Sequence, residues 1–266
     1  MENTVKTRVS GGGQGNLSSI TGIGAGTEPF RAAEKRTIKR GFTLAEVLIT
    51  LGIIGVVAAM TMPALTANSR KQEVTSRLKK VNSIMQQAIL LSVNDNGPME
   101  YWNKADNSIT PGEDGTPTYD PVGGSKEAYE FFMKYFAPYI KYTKIDEMTN
   151  CPFDSTQMRT QVTLADGTVM CIKNGACIDF DIDINGNKKP NKGGLDRFYY
   201  VFCPTKVKEY FNKSGFGPYR GSFTLENWND RDSLLEVCAK GNDSSACARL
   251  IEYDGWEIKD DYPLHI

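Results

Sequence analysis

The sequence predicts an α+β protein: a long N-terminal membrane-spanning helix that continues into a small globular domain with an antiparallel β-sheet, a lollipop in outline. Three observations predict it. Residues 42–65 are almost wholly apolar. The residues after them turn amphipathic at helical spacing without a break. Farther on, short alternating runs are separated by Asp-Gly and Asn-Gly, the pairs that tight hairpins favour.

Twenty-odd apolar residues, at about 1.5 Å each, are enough to cross a hydrocarbon layer of about 30 Å. The run holds one charge, Glu46, near its start. A carboxylate is costly in hydrocarbon and is usually found there with a partner. Pro63, near the far end, should kink the helix rather than stop it, because helical spacing resumes beyond. Val74, Leu78, Val81, Met85 and Ala88, joined by Ile84 and Leu91, then form one apolar stripe. Asn94, Asn96, Gly97 and Pro98 end it. The chain therefore divides into a leader (1–41), a spanning helix (42–65), its amphipathic continuation (66–96) and a head (97–266).

Within the head, residues 97–124 are rich in Gly, Pro, Asn, Asp and Thr and read as a long loop. Ser125 is placed to cap a second helix, with Glu127 in its first turn. Tyr129, Phe132, Met133 and Phe136 would be its buried stripe, and Pro138 would end or bend it. Strands are expected at 158–164, 167–172, 177–184 and 197–203. Two short helices, near 233–240 and 244–253, close the chain.

Charge and cysteine usage bound the compartment. The formal net charge is −1 over 266 residues, so no global field calls for nucleic acid. Residues 1–41 carry seven basic against three acidic residues, a net of +4, which leaves −5 for the remainder. A basic head before an apolar run suits a segment that stays in the cytoplasm. The Gly-rich stretches of residues 1–34 lack a strand–helix context and a following Gly-Lys-Ser/Thr, so they read as a disordered leader rather than a phosphate loop.

All six cysteines (Cys151, Cys171, Cys177, Cys203, Cys238 and Cys247) follow the apolar run. That distribution predicts disulfides made in an oxidising compartment. No Cys-x-x-Cys pair is present to suggest a zinc or thioredoxin-type site. Cys238 and Cys247, nine apart on adjacent short helices, are the preferred pair. A two-residue turn at Asn174-Gly175 would put Cys171 and Cys177 on opposite faces, each needing another partner such as Cys151 or Cys203. A longer loop would let them face each other.

Asp179, Asp181, Asp183 and Asn185 precede Gly186, a spacing that can wrap oxygens around Ca²⁺. The twelfth position from Asp181 is Lys192, so a complete EF-hand loop is excluded. The competing reading is a strand with Asp on its wet face. No other cofactor is expected. The only histidine, His265, is second from the end, which removes most Ser-His and Cys-His nucleophile systems. The chain is expected not to be an enzyme.

The segment Lys39-Arg40-Gly41-Phe42-Thr43-Leu44-Ala45-Glu46 resembles the cleavage site of type IV prepilins and type II secretion pseudopilins. The resemblance covers Lys39 to about Leu65 closely and the following helix in outline. It implies a cut between Gly41 and Phe42 by a membrane-embedded prepilin peptidase, and N-methylation of Phe42. Glu46 and Pro63 then take the family's glutamate and proline positions. The leader, at 41 residues, is long for the family. The physics fits the residue types. Basic residues hold the leader in the cytoplasm. Glycine presents bare backbone to a protease. In a filament of parallel helices, the Glu46 carboxylate of one subunit can neutralise the Phe42 ammonium of its neighbour and set axial register. The resemblance further implies a bacterial inner-membrane, single-pass chain with an extracytoplasmic head, and a filament serving secretion, DNA uptake or adhesion. The partners implied are the prepilin peptidase, an inner-membrane assembly platform and other pilin subunits, with no direct contact to nucleic acid. Major pseudopilins hold calcium in a loop related to 179–185. The downstream region from Leu164 also looks like the soluble domain of pseudopilin-like proteins without an assigned activity. Competing readings are a plain membrane anchor, a secretory signal peptide cut near residues 64–67, and a tethered binding domain that never polymerises.

Overall fold

The first helix, α1, spans Leu44–Asn96 and passes through Pro63 without ending. The computed structural model describes residues 41–151, 154–186, 188–206, 214–221, 223–241 and 243–265. Residues 1–40 of the expected leader (1–41) lie outside them. The chain divides into two compact units, one ending at Leu51 and the other covering Gly52–Ile266. In the second unit the apolar part of α1 is bare: Met60 is 75% and Leu65 66% exposed. By length and composition the helix is apolar enough to cross a membrane.

From Val74 onward α1 turns one face inward. Val74, Leu78, Val81, Met85, Ala88 and Ile89 are buried. Burying an aliphatic side chain of this size stabilises the fold by about 1.5–3 kcal/mol. The expected stripe needs one correction. Leu91 is 52% exposed and Ile89 is buried in its place. The inward face continues through Ser92, a small residue, and Leu91 lies off it. Gly97, at φ +78°, takes the left-handed conformation that follows a helix end.

Residues 97–124 are more ordered than a long loop. A single 3-10 turn (Met99–Tyr101) leads to Trp102, whose ring stacks on Tyr135 at 4.5 Å. Its Nε1 donates to the Gly97 carbonyl at 2.9 Å. Strands β1 (Ile109–Pro111) and β2 (Pro117–Tyr119) then pair antiparallel. Asn174 ties the segment down: its Nδ2 donates to Ser108 Oγ at 2.9 Å and to Glu127 at 2.7 Å.

Helix α2 spans Pro121–Tyr135, and its cap is Asp120, not Ser125. The Asp120 carboxylate accepts from the backbone N–H of Val122 and Gly123, and Pro121 occupies the first turn, where its missing N–H costs nothing. The helix thus starts five residues earlier than the expected cap would place it. Ala128, Phe131, Phe132, Tyr135 and Phe136 are buried, while Tyr129 and Met133 are only half-buried. Ser125 is buried and donates to the Met158 carbonyl. Pro138 sits in a 3-10 turn (Ala137–Tyr139) after the helix has ended.

Six strands follow as an antiparallel meander, each paired with the next: β3 (Tyr142–Cys151), β4 (Asp154–Leu164), β5 (Val169–Asn174), β6 (Ile178–Asp183), β7 (Arg197–Cys203) and β8 (Gly215–Pro218). Strands β3 and β8 are the edges. Three short helices complete the chain: α3 (Leu225–Trp228), α4 (Arg231–Ala239) and α5 (Ser244–Tyr253). The two sheet faces differ sharply. Met170, Ile172, Ile178, Phe180, Ile182, Phe198, Tyr200, Phe202 and Phe216 face one core shared with α1, α2, α4 and α5. The alternate residues make a second, largely polar face.

Disulfides complete the fold. Cys238 joins Cys247, so α4 and α5 are linked across their short connection. Strands β5 and β6 are joined by three residues, because Asn174 pairs with Ile178. By parity this puts Cys171 and Cys177 on the same face, not on opposite ones. They lie at opposite ends of the strand pair, and each bonds to a cysteine of another strand: Cys171 reaches past β4 to Cys151 of β3, and Cys177 bonds to Cys203 of β7. The bridges close sequence separations of 20, 26 and 9. On the chain-entropy account the first two contribute about 3.4 kcal/mol each and the third about 2.6 kcal/mol. Replacing Cys177 and Cys203 together by serine should therefore lower the unfolding free energy in urea more than replacing Cys238 and Cys247. Equal losses would show that native packing, not loop closure, sets their contribution.

Candidate functional site

Chemistry is concentrated in two places, one in each compact unit. In the first, Phe42 is 88% exposed at the start of α1. A Cβ added at Gly41 would meet nothing within 4 Å, so no contact among the described residues demands glycine there. Thr43 immediately precedes the first helical residue. Its Oγ1 accepts from the Glu46 backbone N–H at 3.2 Å. Glu46 Oε2 accepts in return from the Thr43 backbone N–H and from the Thr43 hydroxyl, both at 2.8 Å. This reciprocal pair is a capping box, and its sequence signature is Thr-x-x-Glu. The sequence reading singled out Glu46 for its charge and missed Thr43, which the capping pattern identifies. Among the described residues Glu46 has no cationic partner.

Farther along α1 the polar side chains return their hydrogen bonds to the helix. Thr50 donates to the Glu46 carbonyl at 2.9 Å. In the second unit, Thr61 donates to Val57, and Thr66 donates to Met62 and Pro63. Pro63 has no N–H, so the ladder bond to Ala59 cannot form there. The four predicted positions Gly41, Phe42, Glu46 and Pro63 are thus all near or within one helix.

The second place is the polar face of the sheet, which carries the four residues of the calcium reading. Asp179, Asp181 and Asp183 lie on β6 at two-residue steps, about 6.8 Å apart along the strand. Each is held by its own cation. Asp179 faces Lys173 directly across β5, at 3.7 Å. Asp183 faces Arg197 directly across β7, at 3.2 Å. Asp181 pairs with Arg159 of β4. Asn185 turns its side-chain amide to Asp196, while its backbone N–H donates to Asp183 at 3.2 Å. Among the described residues no three carboxylate, cysteine or histidine groups converge as a metal site. The carboxylates act as cross-strand ion pairs instead.

Burial sets their titration. It pushes Asp179 up to about 6, against the pull of the Lys173 charge and the Tyr199 hydroxyl. It also pushes Asp183 up to about 6, against the hydrogen bond from Arg197. Beside Asp179, Lys173, Tyr199 and Tyr219 wall a cavity of about 220 Å³. At the other end of the domain, Arg231 forks onto both Asp254 and Asp261 with four contacts of 2.7–2.8 Å. The fork fixes the C-terminal segment to the start of α4 and, against the effect of burial, holds Asp254 below its usual range.

Residues 36–62 match the model of the prokaryotic N-terminal methylation motif. Residues 64–266 match the model of a family of unknown function (DUF6613). The chain belongs to that family. Its methylation motif is the prepilin-type cleavage and methylation signal, that of a type IV pilin- or pseudopilin-like substrate of prepilin peptidase. Motif and DUF6613 region leave only Pro63 between them, inside α1. No curated protein and no solved structure matches the chain.

The two raised carboxyls give the DUF6613 head a pH signature. A carboxyl whose folded pKa lies above its unfolded value of about 3.9 binds more protons folded than unfolded. Its stabilising effect is complete below about pH 4 and is lost as pH rises through about 6. The melting temperature should therefore rise as pH falls from 7 to 5. Asp179→Asn with Asp183→Asn should flatten that slope; an unchanged slope in the double variant would mean that other groups set it.

Proposed function

We propose that the chain is a structural subunit of an extracytoplasmic filament of the type IV pilus or pseudopilus kind, serving secretion, DNA uptake or adhesion. The observation that carries this reading is the placement of Gly41, Phe42 and Glu46 at the head of α1. The next part of that helix is apolar and exposed, and its last part belongs to the core of the DUF6613 domain. On this reading the chain waits in the bacterial inner membrane, with its basic leader in the cytoplasm and its disulfide-bonded head outside. Prepilin peptidase cuts after Gly41 and methylates Phe42. An inner-membrane platform then packs the apolar helix against those of other subunits. The reading has no catalytic step and no required cofactor.

Methylation and cutting test the first half. The mature protein, isolated from membranes, should begin with N-methylated Phe42 by mass and terminal sequencing. Replacing Gly41 with a bulky residue should leave the leader attached. An intact leader in cells with an active peptidase would favour a plain anchor, and a start near Asn68 a signal peptide.

Glu46 tests the second half, because its two roles separate. Glu46→Gln keeps an acceptor for the Thr43 N–H but carries no charge. Glu46→Ala loses both. If the charge pairs with a neighbouring Phe42 ammonium, both variants should be processed normally and both should lose at least about tenfold in assembled filament, a difference of about 1.4 kcal/mol. Wild-type assembly by Glu46→Gln would reduce Glu46 to a helix cap. The other reading, a tethered binding domain that never polymerises, has the cavity beside Asp179 in its favour. It expects both Glu46 variants to function normally.

A further inference from the structure

The motif, the cap and the ion-paired sheet leave one charged patch of the second unit unused. Arg70 of α1, and Lys188 and Lys189 of the loop after β6, line one open cavity of about 360 Å³ together with Thr66 and Ser69. All three cations are exposed, and among the described residues none of them is in an ion pair. The acid in the same cavity, Glu73, is taken by Arg77 at 3.0 Å. Of the other cations of α1, Lys71 is matched to Asp260 at 3.1 Å and Lys80 to Asp166 at 2.7 Å, while exposed Lys79 lies outside this cavity. Three unmatched like charges around one cavity repel each other, and a purely structural patch gains nothing from that.

Position along the helix says what could match them. The apolar run ends at Leu65, and Arg70 lies five residues farther, about 7.5 Å along the axis. The headgroup zone on each side of the hydrocarbon is about 5–7 Å deep. Thr66 and Ser69 therefore fall at headgroup depth and Arg70 at its outer edge. Lys188 and Lys189 share the cavity with them. The Ser69 hydroxyl below three cations complements a phosphodiester, and cations at this depth are drawn to an anionic leaflet.

We propose that Arg70, Lys188 and Lys189, with Ser69, form a binding site for the headgroup of an anionic phospholipid in the leaflet from which the head emerges. The site seats the loop after β6 on the membrane surface and so fixes the rotation of the head about α1 before assembly. The proposal rests on the membrane reading of α1 and is independent of filament formation.

The test uses the full-length chain in nanodiscs of phosphatidylcholine alone or of equal parts phosphatidylcholine and phosphatidylglycerol, read by hydrogen–deuterium exchange. Phosphatidylglycerol should slow exchange severalfold in segment 185–192. High salt should remove the effect. The variant Arg70→Gln, Lys188→Gln, Lys189→Gln should lack it while keeping the wild-type melting temperature, since all three side chains are exposed. Equal exchange in the two lipids, or protection retained by the triple variant, would overturn the proposal. So would the same protection in phosphatidylcholine discs given inorganic phosphate, which would identify a free anion as the ligand. Protection in phosphatidylcholine discs that grows with protein concentration would identify a second copy instead and also overturn it. A chain that fails to co-elute with either disc would overturn the membrane reading and this proposal together, whereas insertion without lipid preference would overturn the proposal alone.

Discussion

A helix that enters hydrocarbon must satisfy every backbone polar group within itself, and that constraint organises α1. The first turn has N–H groups that no earlier carbonyl can reach. Thr43 and Glu46 supply acceptors for them. Thr50, Thr61 and Thr66 would each bring an unsatisfied hydroxyl into an apolar zone. Each returns it to a carbonyl three or four residues back. Pro63 is tolerated within this arrangement near the end of the apolar run, where water begins to be available. The same helix then changes solvent. Past Val74 it no longer needs an apolar surface all round, and the stripe from Val74 to Ile89 is the part that turns into the core. The rest carries Arg77, whose Nη1 donates to the carbonyls of Asp166 and Ile184, and Lys80, paired with Asp166. Those contacts clamp α1 to the turns at the end of the sheet.

The sheet answers a different demand. One face is covered by helices and reads as uninterrupted apolar and aromatic residues. The other lacks that cover and uses two devices in place of a core. Disulfides staple it at the ends, Cys151–Cys171 beside Val169 and Cys177–Cys203 beside Val201. Between them runs the row Asp179, Asp181, Asp183, with a cation assigned to each. Buried ion pairs are weak sources of stability but strong sources of register, since a one-residue slip would leave two buried carboxylates, Asp179 and Asp183, and the half-buried Asp181 uncompensated. The row therefore pins β5, β6 and β7 in one alignment.

How much of this was legible in the sequence follows from which signals are local. The apolar run, its amphipathic continuation, β7 and α5 announce themselves by periodicity, and the structure places them as expected. Strand β3 was missed because it is an edge: Tyr142–Cys151 has bulges at three points and an irregular burial pattern, so period-two alternation is broken. Strand β8 was missed because Gly215, Gly217 and Pro218 read as a loop, and only Phe216 has an apolar side chain to bury. The start of α2 was misplaced because two cap residues compete. Asp120 wins since Pro121 pre-sets the first helical turn, and Ser125 falls inside the helix. The cation partners of the aspartate row were not legible for a non-local reason. Asp-x-Asp-x-Asp looks identical whether cations or a metal sit opposite, and Lys173, Arg197 and Arg159 come from three other strands.

Glu46 shows the same limit at the functional end of the chain, and there the physics adds something. The charge was legible; the partner was not. Within one chain the carboxylate already caps its own helix through Thr43, so it needs no second subunit to be satisfied in the backbone sense. A cap, however, uses hydrogen-bond acceptors and leaves the net charge in place. Cutting after Gly41 would create an ammonium at Phe42, one residue from the cap. The two charges of one subunit would then sit in the apolar zone with geometry already given to the cap. On the filament reading, a neighbour offset along the axis supplies the missing counterion without dismantling it. The capping box would then do two things in sequence. It holds the carboxylate in one rotamer while the subunit is alone, and it presents that carboxylate, with its orientation already fixed, when the neighbour arrives. The entropy of ordering the side chain is lost at folding rather than at assembly, which favours association without adding a contact.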